Sequence, residues 1–208
     1  MPHGAFANIT YRSFTMSASN ARILAFAGST RVQSYNKKLA AVAAKGAEAA
    51  GAEVTLIDLR AYPLPLFDQD LEAAEGLPEN AVALRELFLS HNALLIACPE
   101  YNGSLPGVLK NTIDWVSRRQ DGEPPLACFK NKIALLLATS PGALGGMRAL
   151  RHLQTVLMGM QVVVLPEQKA IPKAADVFND EGIADEKIRA EVERLGARLA
   201  EMASLFHA

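Results

Sequence analysis

Short, unbroken apolar runs recur along this chain, and each is followed by a stretch with a helical apolar stripe. The runs fall at residues 23–27, 53–57, 93–98, 132–138 and 161–165. They do not alternate between apolar and polar, so both faces of each strand must be covered, as in a buried parallel sheet. The intervening stripes supply the cover. Leu39, Val42, Ala43 and Ala47 share one face of a helix over 36–50 that stops at Gly51. Pro78 opens a second helix with Ala81, Leu84 and Phe88 inward, and Pro106 a third with Leu109, Ile113 and Val116 inward. Leu150, Leu153 and Leu157 mark a fourth helix over 146–158, and Ile188, Val192, Leu195, Leu199 and Met202 a fifth. Strands alternating with helices predict an α/β fold, a doubly wound five-stranded parallel sheet with right-handed crossovers.

The 208 residues suit one domain of ordinary size, expected over 22–208. Residues 1–21 show no apolar periodicity and read as a flexible tail, with Met16 a possible natural start. They lack the apolar core of a secretory signal, so the expected location is the cytoplasm. Half the chain is hydrophobic, enough for a sizeable core, and no run is long enough to span a bilayer. With 21 basic and 22 acidic residues the net charge is −1, which gives no footprint for nucleic acid or an anionic membrane. Cys98 and Cys128 make no disulfide framework, and His3, His91, His152 and His207 have no metal-ligand spacing, so no metal is expected.

In an open parallel sheet, ligands bind beyond the carboxyl ends of the strands. The loops after strands one, three and four are also the three most unusual stretches. The first, residues 28–36, carries Ser29, Thr30, Arg31, Ser34, Tyr35 and Asn36 into a helix start. Three hydroxyls, a guanidinium and an amide around a helix N-terminus make a phosphate cradle built from side-chain donors. It is neither a Walker A loop nor a GxGxxG fingerprint. Ser34 or Asn36 acting only as a helix cap is the plainer alternative for either residue alone. The second loop runs Pro99-Glu100-Tyr101-Asn102-Gly103-Ser104, with Asn102-Gly103 a tight turn whose amides can face a planar ring. The alternative is an ordinary strand-to-helix turn capped by Ser104. The third, from Ser140 through Gly142 to Gly146, has three glycines in seven residues, which allows close backbone approach to a ligand.

Other residues read as structural. Asp58 is a turn residue, Cys98 an inert core thiol, and Cys128 has no base near it in sequence. No Gly-x-Ser-x-Gly elbow occurs. The 62–78 stretch, with Pro63, Pro65 and Gly76, is the longest irregular connection and a candidate rim of the site.

Taken together, the 28–36 loop, Pro99-Glu-Tyr-Asn-Gly-Ser-Leu-Pro-Gly-x-Leu-Lys-Asn111 with Asp114-Trp115, and Ser140-Pro-Gly-x-x-Gly-Gly-x-Arg148 resemble the NADPH-dependent FMN reductase family. That family includes chromate, quinone and azo-dye reductases. The resemblance spans residues 22–180 and leaves the tail outside. It implies a flavodoxin-like fold with strand order 2-1-3-4-5 and FMN where the order reverses. By that resemblance Ser29, Arg31, Ser34 and Asn36 hold the FMN phosphate, with Tyr35 in contact beside it. Pro99, Glu100, Tyr101, Asn102 and Gly103 line the isoalloxazine ring, and Ser140 and Gly142 face it. The flavin carries the chemistry, which accounts for the lack of a catalytic acid–base pair among these motifs. The implied activity is two-electron transfer from NADPH or NADH to quinone-like acceptors, with chromate, azo compounds or free flavin as further acceptors.

The alternative is a flavodoxin-type electron carrier. Such carriers are strongly acidic and lack a counterpart of Arg31, so the charge of −1 and Arg31 favour the enzyme. The resemblance also implies a homodimer or homotetramer. Trp115, on a different face from Leu109, Ile113 and Val116, suggests a partner surface, unless it packs under the 62–78 stretch. Arg148 and Glu167 are a candidate charge pair across a second interface.

Overall fold

The computed structural model describes residues 20–207, so the expectations for the tail before Asn20 lie outside the described residues. The strands are β1 (Arg22–Ala27), β2 (Glu53–Ile57), β3 (Ala93–Ala97), β4 (Ile133–Thr139), β5 (Val163–Val164), β6 (Lys169–Ile171), and a hairpin of β7 (Phe178–Asn179) and β8 (Gly182–Ile183). The helices are α1 (Tyr35–Ala49), α2 (Gln69–Glu75), α3 (Glu79–Ser90), α4 (Gly107–Val116), α5 (Met147–Gly159), α6 (Ala174–Val177) and α7 (Glu186–Phe206). The main sheet is parallel in the order β2-β1-β3-β4-β5, with β6 also on β4. This is the flavodoxin-like order, and β1 lies between β2 and β3, where the chain reverses its direction across the sheet.

Period-two alternation within each strand splits the core into two layers. Ile23, Ala25, Leu95, Leu135 and Leu137 face α1 and α7. Leu24, Phe26, Leu94, Ile96 and Leu136 face α3, α4 and α5. Helices α1 and α7 approach so closely that a methyl group built on Gly196 would stand 1.8 Å from the Ala43 carbonyl oxygen. Cover thins at the two edges of the sheet, where Leu56 of β2 and Val163 of β5 are about half exposed.

The expected fifth strand is the element that differs most. Gln161 has φ 62° and turns the chain, so pairing begins at Val163. Pro166, which has no N–H to donate, follows the short β5, and β6 then resumes pairing with Leu137 to Thr139. The 62–78 stretch is also more ordered than its prolines suggest. It contains α2, capped by Asp68, whose carboxylate accepts from Asp70 N at 2.8 Å.

That stretch is what covers Trp115. Trp115 is fully buried, its Nε1 donates to Pro65 O at 2.8 Å, and the Phe67 ring meets it edge-on at 5.0 Å. Asn111 pins the same segment, accepting from Phe67 N and donating to Pro65 O, both at 2.8 Å. Trp115 therefore offers no partner surface. Within the chain, Arg148 pairs with Glu100, and Glu167 lies 3.6 Å from Arg198.

At the amino end of the sheet, Lys132 is buried and donates to the His91 carbonyl. Burial pushes its ammonium down to about 8. The His91 ring itself bonds Thr55 Oγ1 at 2.7 Å.

Candidate active site at the carboxyl edge of the sheet

The three loops singled out in the sequence converge where β1, β3 and β4 end. Gly28 N donates to Ala97 O at 2.9 Å and Cys98 N to Leu137 O at 2.7 Å, so the loops leave the sheet side by side. Ser34 is the N-cap residue of α1, with φ −86° and ψ 123°, yet its hydroxyl makes no capping hydrogen bond. The first turn holds no acidic residue. The helix start thus presents N–H groups and a partial positive charge with no internal anion to satisfy them. Ser29 Oγ accepts from Arg31 N at 3.3 Å, and the Arg31 guanidinium makes one long bond, to Gln33 O at 3.3 Å. Ser29 and Ser34 are buried and Arg31 is exposed above them. The chemistry of this donor set suits a phosphate group: two hydroxyls, a guanidinium and the main-chain N–H groups of a helix start on one loop.

Two residues of this loop have other duties. The Asn36 side chain donates to Thr139 O at 2.9 Å and accepts from Thr139 N at 3.0 Å. It is a strut that ties the start of α1 to the end of β4. The Tyr35 ring packs on Phe178, 5.5 Å between centroids, so only its main chain faces the loop. Asp58 is the turn residue expected, accepting from Arg60 N at 2.9 Å and pairing with Lys37 at 2.7 Å.

In the second loop, Asn102 and Gly103 both have positive φ, 51° and 78°, between the paired residues Tyr101 and Ser104. That is a two-residue hairpin turn of the type Asn-Gly favours. Ser104 does not cap α4, whose N-cap is Pro106; its hydroxyl instead meets His152 Nδ1 at 2.9 Å. Glu100 reaches to the start of α5. Its carboxylate accepts from Arg148 N at 3.0 Å, Ala149 N at 3.3 Å and Arg148 Nε at 2.7 Å, capping α5. Burial alone would raise this carboxyl, but the Arg148 hydrogen bond and the α5 amides more than offset it and hold it below its ordinary range. The Glu100 side chain is thus committed to the start of α5. Cys98, behind this loop, is buried and its thiol is pushed up to about 12 by burial, with the Glu100 charge adding to it.

In the third loop, Gly145 and Gly146 are used for packing rather than for ligand approach. A methyl group on Gly145 would come within 2.6 Å of the Ile171 backbone, and one on Gly146 within 2.7 Å of Ala138 Cβ. Gly142 is open, with Ser140 Oγ 3.8 Å from the same position, so these two remain available at the rim. The 62–78 stretch, expected as a rim of the site, brings Tyr62, Pro63 and Leu64 beside Thr30 of the first loop. A depression of about 510 Å³ lies between Thr30, the turn from Leu59 to Leu64, and Val108, Asn111 and Thr112 of α4.

A hydroxyl-lined anion cradle beside a ring-sized turn, at the switch point of a 2-1-3-4-5 sheet, defines a flavodoxin-like flavin-binding protein. The comparison with known sequences gives the family: the model for NADPH-dependent FMN reductase matches residues 21–176, and the chain belongs to that family of FMN- and NAD(P)H-dependent oxidoreductases. An NAD(P)H-dependent FMN reductase of Pseudomonas aeruginosa is 37% identical over 170 residues, 81% of this chain and 87% of the relative. A quinone reductase of Escherichia coli K12 is 34% identical over 177 residues, 79% of this chain and 88% of the relative. Among solved structures, the flavoenzyme NAD(P)H:(acceptor) oxidoreductase FerB from Paracoccus denitrificans aligns with a TM-score of 0.74 at 30% identity, covering 88% of this chain and 97% of that one.

Proposed function

We propose that this oxidoreductase reduces quinone-like acceptors by two electrons, with FMN held at the edge of β1, β3 and β4. The observation that carries the assignment of the site is the start of α1, where Ser34 leaves the helix uncapped and Arg31 stands nearly unpaired. When bound, FMN supplies the hydride chemistry, accepting from the nicotinamide and passing two electrons on. The chain's own residues do the rest. Ser29, Arg31, Ser34 and the first N–H groups of α1 neutralise the phosphate. Asn36 keeps that loop in register with Thr139, the residue before the third loop. The Pro99–Gly103 turn, held through Glu100 and Arg148, sets the plane against which a ring lies, with Ser140 and Gly142 at its edge.

A quinone, a nitrogen–nitrogen double bond, chromate or free flavin can each take the electrons, since no specific acid is needed from the protein. One open ring face shared by donor and acceptor favours a ping-pong scheme. The reading puts the enzyme in the cytoplasm, where reduced nicotinamides are held and where the two buried free thiols, Cys98 and Cys128, remain reduced. It also includes a homodimer or homotetramer with the flavin near a subunit boundary. Its support is the exposed Val32, Tyr101, Leu144 and Met147 on the three loops and the adjoining start of α5.

The test is direct. Heat-released cofactor is identified by mass, steady-state reduction of a benzoquinone is followed with each nicotinamide, and light scattering gives the assembled mass. FMN, parallel double-reciprocal lines and a multimer are expected. FAD as sole occupant, intersecting lines with a stable ternary complex, or a fully active monomer refutes the corresponding part. A protein that holds FMN but shows no nicotinamide turnover would be an electron carrier.

A further inference from the structure

We propose that Asn102 is a modification site gated by the cofactor: while the Asn102-Gly103 turn is uncovered, the Asn102 side-chain amide is lost by ring closure onto the Gly103 nitrogen, and bound FMN prevents it. This rests on the flavin site described above and assigns a covalent fate to the turn that meets the ring.

No other asparagine in the chain is followed by glycine. Glycine has no Cβ, so no side chain on residue 103 shields its nitrogen. Asn102 is exposed. The bonds that close the turn run between Tyr101 and Ser104, N to O at 3.1 and 3.0 Å, and leave the two central residues out. Among the described residues, neither the Gly103 N–H nor the Asn102 amide has a hydrogen-bond partner. Other asparagine side chains are held. Asn36 is tied to Thr139, Asn80 to Pro63, Asn92 to Arg22 and Asn20, Asn111 to Pro65 and Phe67, and Asn179 to Glu181. Asn131 shares the left-handed conformation of Asn102, with φ 63°. The nitrogen that follows it is occupied, however, because Lys132 N donates to Phe129 O at 3.2 Å.

The step balances without oxidant or reductant. The Gly103 nitrogen attacks Asn102 Cγ, the N–Cγ bond forms, the Cγ–Nδ2 bond breaks, and ammonia leaves with the Gly103 proton. Water then opens the cyclic imide. Opening at the side-chain carbonyl leaves aspartate. Opening at the main-chain carbonyl leaves isoaspartate, with an extra methylene in the backbone. Both products bear on the site. A carboxylate puts a negative charge on the turn assigned to the ring, against the charge that reduction adds there. The extra methylene disrupts a hairpin turn built on two residues. Ring closure also requires the turn to loosen from its present conformation, a local opening that a ring lying against residues 99–103 opposes.

The experiment incubates FMN-loaded protein beside the same protein freed of FMN, at mildly alkaline pH, and digests samples with trypsin. The peptide from Glu86 to Lys110 carries both Asn92 and Asn102. Fragment masses locate the exchange of amide for carboxylate, and an isoaspartyl methyltransferase scores isoaspartate. FMN-free protein should convert at Asn102, with the doubly bonded Asn92 unchanged as the internal control. With FMN at about 100 times its Kd the uncovered fraction is about one hundredth, so the rate should fall by about 100-fold. Across an FMN titration the rate should follow the free fraction. Asn102→Asp should weaken binding of reduced FMN more than of oxidised FMN, read as a more negative midpoint potential. No conversion at Asn102 in FMN-free protein overturns the proposal, and so does equal conversion with and without FMN. An unchanged potential in Asn102→Asp overturns the charge effect on the ring. If the protein still holds FMN and reduces a benzoquinone, the proposal alone falls. A protein that binds no FMN overturns the underlying functional reading and the proposal with it.

Discussion

Replacing Glu100 by Ala removes a carboxylate that joins the second loop to the first turn of α5. Two main-chain donors, Arg148 N and Ala149 N, lose their acceptor at 3.0 and 3.3 Å. Loss of a helix cap costs about 1 kcal/mol. The ion pair with Arg148 is lost as well. Its Glu side chain is 8% exposed and its Arg side chain 59%, so solvent screens one end. That places the pair at the upper end of the exposed range, about 1 kcal/mol. The total is about 2 kcal/mol, or about 4–8 °C in Tm for a domain of this size. Urea titration at a fixed FMN concentration measures it, since bound cofactor itself adds stability. Arg148→Ala should cost about half as much, about 1 kcal/mol, because the two main-chain bonds survive. The double variant should cost little more than Glu100→Ala alone. The sign with pH follows from the depressed carboxyl. Its contribution is complete above the ordinary value of 4.5 and is lost as pH falls through the lower folded value. Wild type and Glu100→Ala should therefore converge in acid. A difference of less than about 0.5 kcal/mol at neutral pH, within the noise of surface substitutions, would refute the reasoning. A gap that persists at low pH would do the same.

Arg31→Ala should weaken FMN binding by about 1.5–3 kcal/mol, measured by titrating the apoprotein; unchanged affinity removes Arg31 from the phosphate site. Lys132→Met tests the buried ammonium. Between its folded value of about 8 and its ordinary 10.5, the unfolded chain binds more protons, so wild-type stability should rise with pH relative to the variant. Chemical denaturation across that window showing no such rise would contradict it. Gly196→Ala places a methyl group 1.8 Å from the Ala43 carbonyl oxygen, a backbone atom that cannot step aside. It should cost about 3 kcal/mol or more by forcing α1 and α7 apart, read as a lowered Tm, and a cost within about 0.5 kcal/mol would show that the helices separate freely.

The strand and helix sequence of the fold was written in local periods. Glu53–Ile57 matches β2 residue for residue, and the stripe from Ile188 to Met202 is the buried face of α7. These were legible because burial of both strand faces, or of one helix stripe, imposes a pattern on neighbouring residues. The location of the site was legible for the same reason: in a parallel sheet the carboxyl edge is fixed by topology, and its loops are rich in hydroxyls and turn residues. The β5–β6 break was not legible, because it depends on which stretch of the chain meets β4 on either side of Pro166. What each site side chain does was decided by partners far away in sequence. Asn36 was expected on a phosphate and is tied to Thr139, 103 positions on. Glu100 was expected at the ring and caps α5 from 48 positions away. Trp115 was expected at a surface and is covered by Pro65 and Phe67. A polar or aromatic side chain satisfies itself with whatever the fold brings within about 3–5 Å, and only the tertiary structure sets that neighbour.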